Sequence, residues 1–199
     1  MVKLVNRVDF AAKIKGKRLA IFSARDVQIL FGVSPSSATM LLHRYAKKNF
    51  ITRIKKGLYV FPDSLPPEPY IANKLYIPSY VSREFALSYH RVIPETVYEI
   101  TSVSTRATRN FEVFGKIYSY RKILDRAFTG YTVEKQGGFT FRIADADKAF
   151  VDTLYYRILF GKKPLTRFNK ERINKEKALQ YANLFHNRKL VGILKTTLA

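Results

Sequence analysis

The chain has 199 residues, of which 47% are apolar, and its 36 Lys and Arg against 15 Asp and Glu give a formal net charge of +21. It contains no cysteine, which excludes disulfides and thiolate metal sites, and no apolar run approaches the roughly 20 residues that span a bilayer. The length suits one or two domains that each bury a core. Such a charge favours a polyanionic partner, and DNA, ribosomal RNA and anionic lipid would all satisfy it.

The first residues, 1–7, lack the apolar region of a secretory signal peptide. Together with the missing cysteines, this leads us to expect a cytoplasmic protein without a membrane partner. An opening helix is predicted from its apolar positions, which are Leu4, Val8, Ala11 and Ala12. This helix is expected to end near Gly16, before a short strand over residues 19–22.

A helix-turn-helix pattern follows. Ser23 and Asp26 form a capping-box pattern, in which each side chain can bond an unpaired N–H at a helix start. The short apolar helix that begins there is expected to stop at Gly32. Ser34 then caps a second helix whose first residue, Pro35, has no N–H to lose. In DNA-binding proteins with this motif, the second helix enters the major groove.

The second helix, predicted over residues 34–48, is amphipathic. The apolar side expected to pack on neighbouring helices consists of Ala38, Leu41, Leu42 and Tyr45. The opposite side, which we expect to contact DNA, consists of Ser36, Ser37, Met40, His43, Arg44 and Lys47. Short hydroxyls near a helix start can meet phosphates or base edges, and Arg44 can fork onto a guanine. An ordinary amphipathic helix with a solvated face would show the same pattern.

A basic hairpin over residues 51–61 distinguishes the two interpretations. Its predicted turn contains Lys55, Lys56 and a glycine, and Arg53 lies close by, where the wing of a winged helix straddles the DNA backbone. Residues 1–62 carry 13 basic and 2 acidic side chains, against 23 and 13 in the rest of the chain. We therefore expect a winged helix-turn-helix DNA-binding domain here, and an operator of repeated half-sites in double-stranded DNA as its partner.

The prolines suggest where this domain ends. Four of the eight fall within residues 62–69, so we expect a Pro-rich linker at 63–69 and a second domain at 70–199. Helices are predicted there over residues 82–91, over residues 144–160 and from Asn169 onward. Strands are predicted over residues 97–103, 111–120, 131–135 and 139–143, with a glycine hairpin joining the last two. The expected class is α+β, a winged helix-turn-helix followed by an α+β domain with a mostly antiparallel sheet.

Four stretches stand out along the chain, and they are residues 53–61, 80–87, 100–106 and 143–152. In this order and spacing they resemble the AbiEi-type antitoxins of type IV toxin–antitoxin (abortive infection) systems. The resemblance implies a winged DNA-binding domain followed by an antitoxin domain. It also implies repression of the protein's own operon and neutralisation of a nucleotidyltransferase-like toxin. Residues 88–92 depart from the His-Gly-Leu-like ending that relatives more often have, and the family also contains solitary regulators.

No catalytic residue, metal or cofactor is predicted. Asp145, Asp147 and Asp152 are the nearest approach to a metal-binding cluster. However, the first two lie where helix starts prefer acids, and Asp152 is expected to pair with a neighbouring arginine. Ser82 and Ser104, each near an arginine, are expected as cap and strand-end residues. The histidines show no metal-ligand spacing, and no motif of a serine hydrolase, a phosphate loop or a zinc protease occurs.

The second domain adds a candidate basic surface for a toxin or a nucleic acid. Its members are Arg83, Arg106, Arg109, Lys116, Arg121 and Lys122. A merely solvated surface explains the same charge. Two alternatives to the antitoxin hypothesis also stay open. One is a stand-alone winged-helix regulator whose second domain binds a protein or ligand, and the other is an RNA-binding or nuclease-associated accessory protein.

Overall fold

The computed structural model describes residues 6–199, which form two compact units, one ending at Pro67 and the other spanning Glu68–Ala199. Leu4, one of the residues used to predict the opening helix, lies outside the described residues. From residue 6 to residue 199, none of the helices is both long and apolar enough to cross a membrane.

The N-terminal unit has the element order of a winged helix. Its elements are α1 (Arg7–Gly16), β1 (Ile21–Phe22), α2 (Ala24–Phe31), α3 (Pro35–Lys47), β2 (Thr52–Lys55) and β3 (Leu58–Val60). Strand β3 lies between β1 and β2 and is antiparallel to both. The hairpin is therefore extended by the short strand into one small sheet, and the predicted winged helix-turn-helix is confirmed.

The helix-turn-helix begins and ends at the caps that the sequence indicated. The carboxylate of Asp26 accepts a hydrogen bond from the backbone N–H of Ser23 at 2.7 Å, and the Asp26 N–H donates to Ser23 Oγ in return. Gly32 ends α2 in the left-handed conformation, with φ of +62°, which glycine adopts without steric cost. Ser34 caps α3 by accepting from the N–H of Ser37 at 3.2 Å.

A cluster of aromatic rings fills the core of this unit, with the fully buried Phe10 of α1 at its centre. Its ring centroid lies 5.0 Å from that of Tyr45 on α3 and 5.5 Å from that of Phe31 on α2. The ring of Phe22 on β1 is 5.8 Å away, and that of Phe61, just after β3, is 6.2 Å away. These are the spacings of favourable aromatic pairs. One side chain thus contacts two further helices and the sheet.

The predicted opening helix is present, and it buries residues other than most of those that indicated it. Phe10 and Ile14, one turn apart, are fully buried, whereas Val8 is 77% exposed. Val8, one of the apolar residues that indicated the helix, therefore lies on its exposed side. Burial follows apolar area, and Phe10 and Ile14 have more of it to remove from water than the alanines beside them.

This difference gives a paired test of the core. We expect Phe10→Ala to lower the free energy of unfolding by about 3–5 kcal/mol, because it removes the central ring and leaves a cavity. Val8→Ala on the same helix is the control, and its effect should stay within about 0.5 kcal/mol. Denaturant unfolding followed by circular dichroism measures both. Equal effects of the two substitutions would contradict this description of the core.

The C-terminal unit is built on a six-stranded mixed sheet. Its elements are α4 (Glu68–Leu75), β4 (Tyr80–Val81), α5 (Arg83–Tyr89), β5 (Ile100–Ser104), β6 (Arg109–Val113), β7 (Lys116–Lys122), β8 (Tyr131–Gln136), β9 (Phe139–Ala144), α6 (Ala146–Leu159), α7 (Lys175–Asn183) and α8 (Arg188–Thr197). The strand order is β6-β7-β5-β4-β9-β8. The pairs β5–β7 and β4–β9 are parallel and the other three are antiparallel, which confirms the predicted α+β class with a mostly antiparallel sheet.

The strand predicted over residues 111–120 is instead a hairpin of β6 and β7. Val113 pairs with Lys116 across a two-residue turn, in which Phe114 has φ of +53° and Gly115 φ of +71°. Two positive φ values match the turns that suit the twist of a hairpin. The turn has little sequence signal because phenylalanine seldom takes a left-handed conformation.

Two helical regions also differ from prediction. Helix α4 begins at Glu68, inside the segment expected as a linker, and Pro69 is tolerated there because first-turn N–H groups lack helical partners. The helix predicted from Asn169 is divided into α7 and α8. His186 takes φ of +49° between them, and Asn187 caps α8 by accepting from the N–H of Leu190 at 3.1 Å.

Candidate nucleic-acid interface

Helix α3 presents the two faces that its sequence predicts. The predicted apolar stripe is buried, and it consists of Ala38, Leu41, Leu42 and Tyr45. The predicted contact residues lie on the other side, where Ser37 is half-buried and the exposed ones are Ser36, Met40, His43, Arg44 and Lys47. A turn of 3.6 residues places all six along the outer side of one helix. The structure thus brings them together on one solvent-facing surface.

Three serine hydroxyls meet at the start of α3. Ser34 Oγ lies 2.8 Å from Ser37 Oγ and 3.0 Å from Ser36 Oγ, in addition to capping the helix. The N-terminal end of a helix carries a partial positive charge, and hydroxyls can donate to phosphate oxygens or to base edges. This end of α3 is therefore suited to an anionic or hydrogen-bonding partner.

The hairpin is attached to α3 through aromatic contacts. Phe50, just before β2, packs edge-to-face on Tyr45 of α3 with ring centroids 5.2 Å apart. Phe61, just after β3, lies 5.6 Å from Phe50, and Tyr59 within β3 stacks on Phe22 at 6.4 Å. Both ends of the hairpin are thereby tied to the aromatic cluster, which holds the wing at a defined position beside α3.

Basic side chains surround the hairpin turn. Arg53 and Lys56 are exposed, and Lys55 is half-buried. Gly57 forms the turn with φ of +84°, a conformation open to glycine at little cost. The predicted wing residues thus lie on and beside a tight turn.

Helix α3 and the hairpin contain no acidic side chains. Residues 27–62 contain neither Asp nor Glu. Asp26 is engaged in the capping box of α2, and Asp63, just beyond the segment, pairs with Lys15 at 3.2 Å. Helix α3 and the hairpin therefore combine basic and hydroxyl groups without carboxylates that would repel a phosphate backbone.

The six basic residues predicted for the second unit do not form one surface. Arg109 begins β6 and Lys122 ends β7, and the backbone N–H of Lys122 donates to the hydroxyl of Thr108 at 3.2 Å. Thr108 lies in the connection between β5 and β6. Arg106 lies in that connection too, and its guanidinium donates to the carbonyl of Ile77 at 3.1 Å. These three exposed basic residues share one end of the sheet, which we call the sheet-end basic cluster (Arg106, Arg109 and Lys122).

The other three lie elsewhere. The side chain of Arg83 is only 13% exposed, and its guanidinium lies 3.0 Å from the carboxylate of Glu84. Lys116 is at the opposite end of β7, in an ion pair with Glu68. Arg121 is half-buried, because its guanidinium packs over the ring of Phe160.

A buried polar cluster that is not predicted from the sequence lies beneath the sheet of the second unit. Lys148 and Asp152, one turn apart on α6, are fully buried and form an ion pair. The Asp152 carboxylate also accepts from Ser82 Oγ at 2.7 Å and from the hydroxyl of Tyr80 at 3.2 Å. The prediction that Asp152 pairs with an arginine is therefore wrong, since its partner is Lys148. Ser82 occupies the N-cap position of α5, as expected, but its hydroxyl makes no capping bond there and donates to Asp152 instead.

This cluster unites separate parts of the family resemblance. Thr101 Oγ1 donates to the carbonyl of Ser82 at 2.6 Å and accepts from the N–H of Phe85 at 3.1 Å. The stretches that meet there are residues 80–87, 100–106 and 143–152. Because Lys148 and Asp152 have no solvent-exposed surface, the cluster organises the core and is closed to a dissolved substrate. A Lys and an Asp four residues apart on an apolar helix were the available sequence signal.

The remaining acids of α6 connect it to α7. Asp145 caps α6 by accepting from the N–H of Lys148 at 2.8 Å, as expected for a helix start, and lies 3.0 Å from the ammonium of Lys177. Asp147 accepts from the N–H of Asn174 at 2.7 Å, and burial raises the pKa of its carboxyl. Among residues 6–199, no three His, Asp or Glu side chains are grouped so that they would hold a metal ion.

The buried ion pair predicts a large loss of stability when one partner is removed. Asp152→Ala leaves the Lys148 ammonium buried without its carboxylate, so we expect the free energy of unfolding to fall by about 3–5 kcal/mol. The double variant Lys148→Met/Asp152→Leu removes both charges and should recover most of that loss. Denaturant unfolding of the full chain measures each variant. An Asp152→Ala effect below about 1 kcal/mol would contradict the assigned role of the pair.

Comparison with known protein families gives a match within the N-terminal unit. Residues 17–62 match the family described as "Transcriptional regulator, AbiEi antitoxin". No curated protein matches the chain. The family match extends from the end of α1 to just beyond the hairpin and covers under a quarter of the chain, including all of the helix-turn-helix and the wing. The segment that carries the candidate interface is thus similar to the AbiEi antitoxin transcriptional regulators.

Proposed function

We propose that this protein is a DNA-binding transcriptional repressor that also serves as the antitoxin of a type IV, AbiE-like toxin–antitoxin system. Residues 1–62 bind the operator of its own operon, residues 63–67 connect the two parts, and the unit that begins at Glu68 neutralises a nucleotidyltransferase-like toxin. The observation that carries the proposal is the outer face of α3 beside a basic hairpin, both free of acidic residues, within the segment that matches the regulator family.

In the proposed complex, α3 lies in the major groove and the hairpin lies along the adjacent backbone. Arg44 donates its two parallel N–H groups to a guanine edge, and the serine hydroxyls at the start of α3 donate to a phosphate. Arg53 and Lys56 neutralise further phosphates from the wing. Each neutralised phosphate releases counterions, so affinity falls by about one log unit per contact for each tenfold increase in salt.

Two substitutions separate base reading from phosphate binding. We expect Arg44→Ala to cost about 1–3 kcal/mol on the specific operator and little on unrelated duplexes, because a base contact is lost. Lys56→Ala should weaken binding to all duplexes similarly and reduce the salt slope by about one unit. Mobility shifts on the DNA upstream of the gene, repeated at several salt concentrations, measure both.

The C-terminal unit supplies the matched control for that experiment. Lys135→Ala removes an exposed basic residue from β8, and it should leave both affinity and salt slope unchanged. If Arg44→Ala and Lys56→Ala weaken every duplex equally, α3 does not read sequence. If neither changes affinity, the interface lies elsewhere.

The antitoxin part of the proposal is supported by the resemblance of residues 80–87, 100–106 and 143–152, which meet at the buried polar cluster around Asp152. This cluster stabilises the sheet whose end presents the sheet-end basic cluster to solvent. We assign that end as the face toward the toxin, since Arg106, Arg109 and Lys122 lie together there.

Co-expression with the adjacent gene tests this part. When the neighbouring product arrests growth, the full chain should restore it, and the double variant Arg44→Ala/Lys56→Ala should restore it equally, because neutralisation needs no DNA contact. The charge reversal Arg109→Glu/Lys122→Glu should lose the rescue, while Lys135→Glu should keep it. A full chain that binds its operator but fails to restore growth would indicate a stand-alone regulator.

A further inference from the structure

Met40 occupies the centre of the solvent-facing side of α3. Its side chain is 72% exposed, although methionine is apolar and commonly packs inside proteins. The helical repeat places Ser36 and Ser37 one turn before it, and His43 and Arg44 one turn after it. An apolar side chain is thus framed by polar ones at the middle of the surface that we assign to DNA.

A side chain at this position meets the edges of the bases when α3 enters the major groove. There the base edges offer hydrogen-bonding groups and one apolar group, the C5-methyl of thymine. The thioether of methionine has little capacity to replace hydrogen bonds to water. Against a polar base edge it would leave donors or acceptors unpaired at a cost, whereas against a methyl group it buries apolar surface on both sides.

We infer that Met40 is a specificity-determining residue that selects a thymine by contact with its C5-methyl group. This inference rests on the proposed DNA-binding function and names one base of the sequence that the protein recognises. Its polar neighbours, His43 and Arg44, select adjacent bases by hydrogen bonds. Helix α3 thus recognises one thymine methyl group beside the polar edges of neighbouring bases. The side chain of methionine is long and flexible, so it can adjust to the distance between α3 and the base.

Replacing thymine by deoxyuridine tests this directly, because the exchange removes the C5-methyl group and leaves base pairing intact. Duplexes that the full chain selects from a random-sequence library are resynthesised with one deoxyuridine at a time. One thymine in each half-site should prove sensitive, with a loss of about fourfold in affinity, the equivalent of one methyl-sized group no longer buried.

The protein variants identify the residue that reads the methyl group. In Met40→Ala, the same deoxyuridine exchange should change affinity by less than about 1.5-fold, because the contact is already gone. Met40→Leu keeps an apolar side chain and should keep the sensitivity. Val8→Ala, which shortens an exposed apolar side chain on α1, is the control and should keep the full fourfold loss.

The outcomes separate this inference from the function on which it rests. If duplexes are bound in a sequence-dependent way but no deoxyuridine exchange matters, or if the sensitivity persists in Met40→Ala, the thymine assignment is overturned and DNA binding stands. If the chain selects no duplex at all, the DNA-binding proposal itself fails and the thymine assignment fails with it.

Discussion

The packing of aromatic rings around Phe10 is the constraint on which the N-terminal unit depends. A unit of this size has little interior, so a few large side chains must fix the positions of α1, α2, α3 and the sheet together. Phe10 contacts rings on both helices of the helix-turn-helix, and Phe50 and Phe61 attach the hairpin to the same cluster. The relative placement of α3 and the wing, which decides whether both can reach one DNA duplex, follows from this packing.

The charged residues of the N-terminal unit are distributed so that the surface of α3 and the hairpin suits a polyanion. Asp26 acts in the cap of α2 and Asp63 pairs with Lys15, and α3 and the hairpin carry only neutral and basic side chains. Net charge alone does not distinguish DNA from RNA or lipid. What favours DNA is the arrangement, since a helix with an exposed polar face beside a basic hairpin is what winged helices place in the major groove and along its backbone.

The boundaries of α2 and the start of α3 can be predicted from sequence because their signals are local. Ser23, Asp26, Gly32 and Ser34 determine helix ends through contacts within four residues, and the apolar period of α3 identifies its buried face. Contacts between residues far apart in the chain cannot be predicted from such local signals. The burial of Phe10 depends on rings from β1, α2 and α3 and on two rings that flank the hairpin. Asp152 likewise finds its Ser82 and Tyr80 partners some 70 positions away. The β6–β7 turn was missed because Phe114 adopts a backbone conformation that its residue type rarely takes.

The C-terminal unit shows how separate motifs of a chain become one structural feature. Three stretches of the family resemblance meet around Asp152, whose two carboxylate oxygens are shared among an ammonium and two hydroxyl groups. Such a fully paired buried charge fixes the packing of α6 beneath the sheet. It thereby supports the sheet end where Arg106, Arg109 and Lys122 reach the solvent.

We propose that α3 and the hairpin together form the DNA-binding surface. The most direct measurement is an NMR titration of the full chain with a short duplex from the DNA upstream of its gene, following the backbone amide resonances. We predict that the largest shifts fall on residues 34–47 and 53–57, and that they diminish as salt is added. Shifts confined to residues 68–199, with α3 and the hairpin unchanged at saturation, would contradict the account.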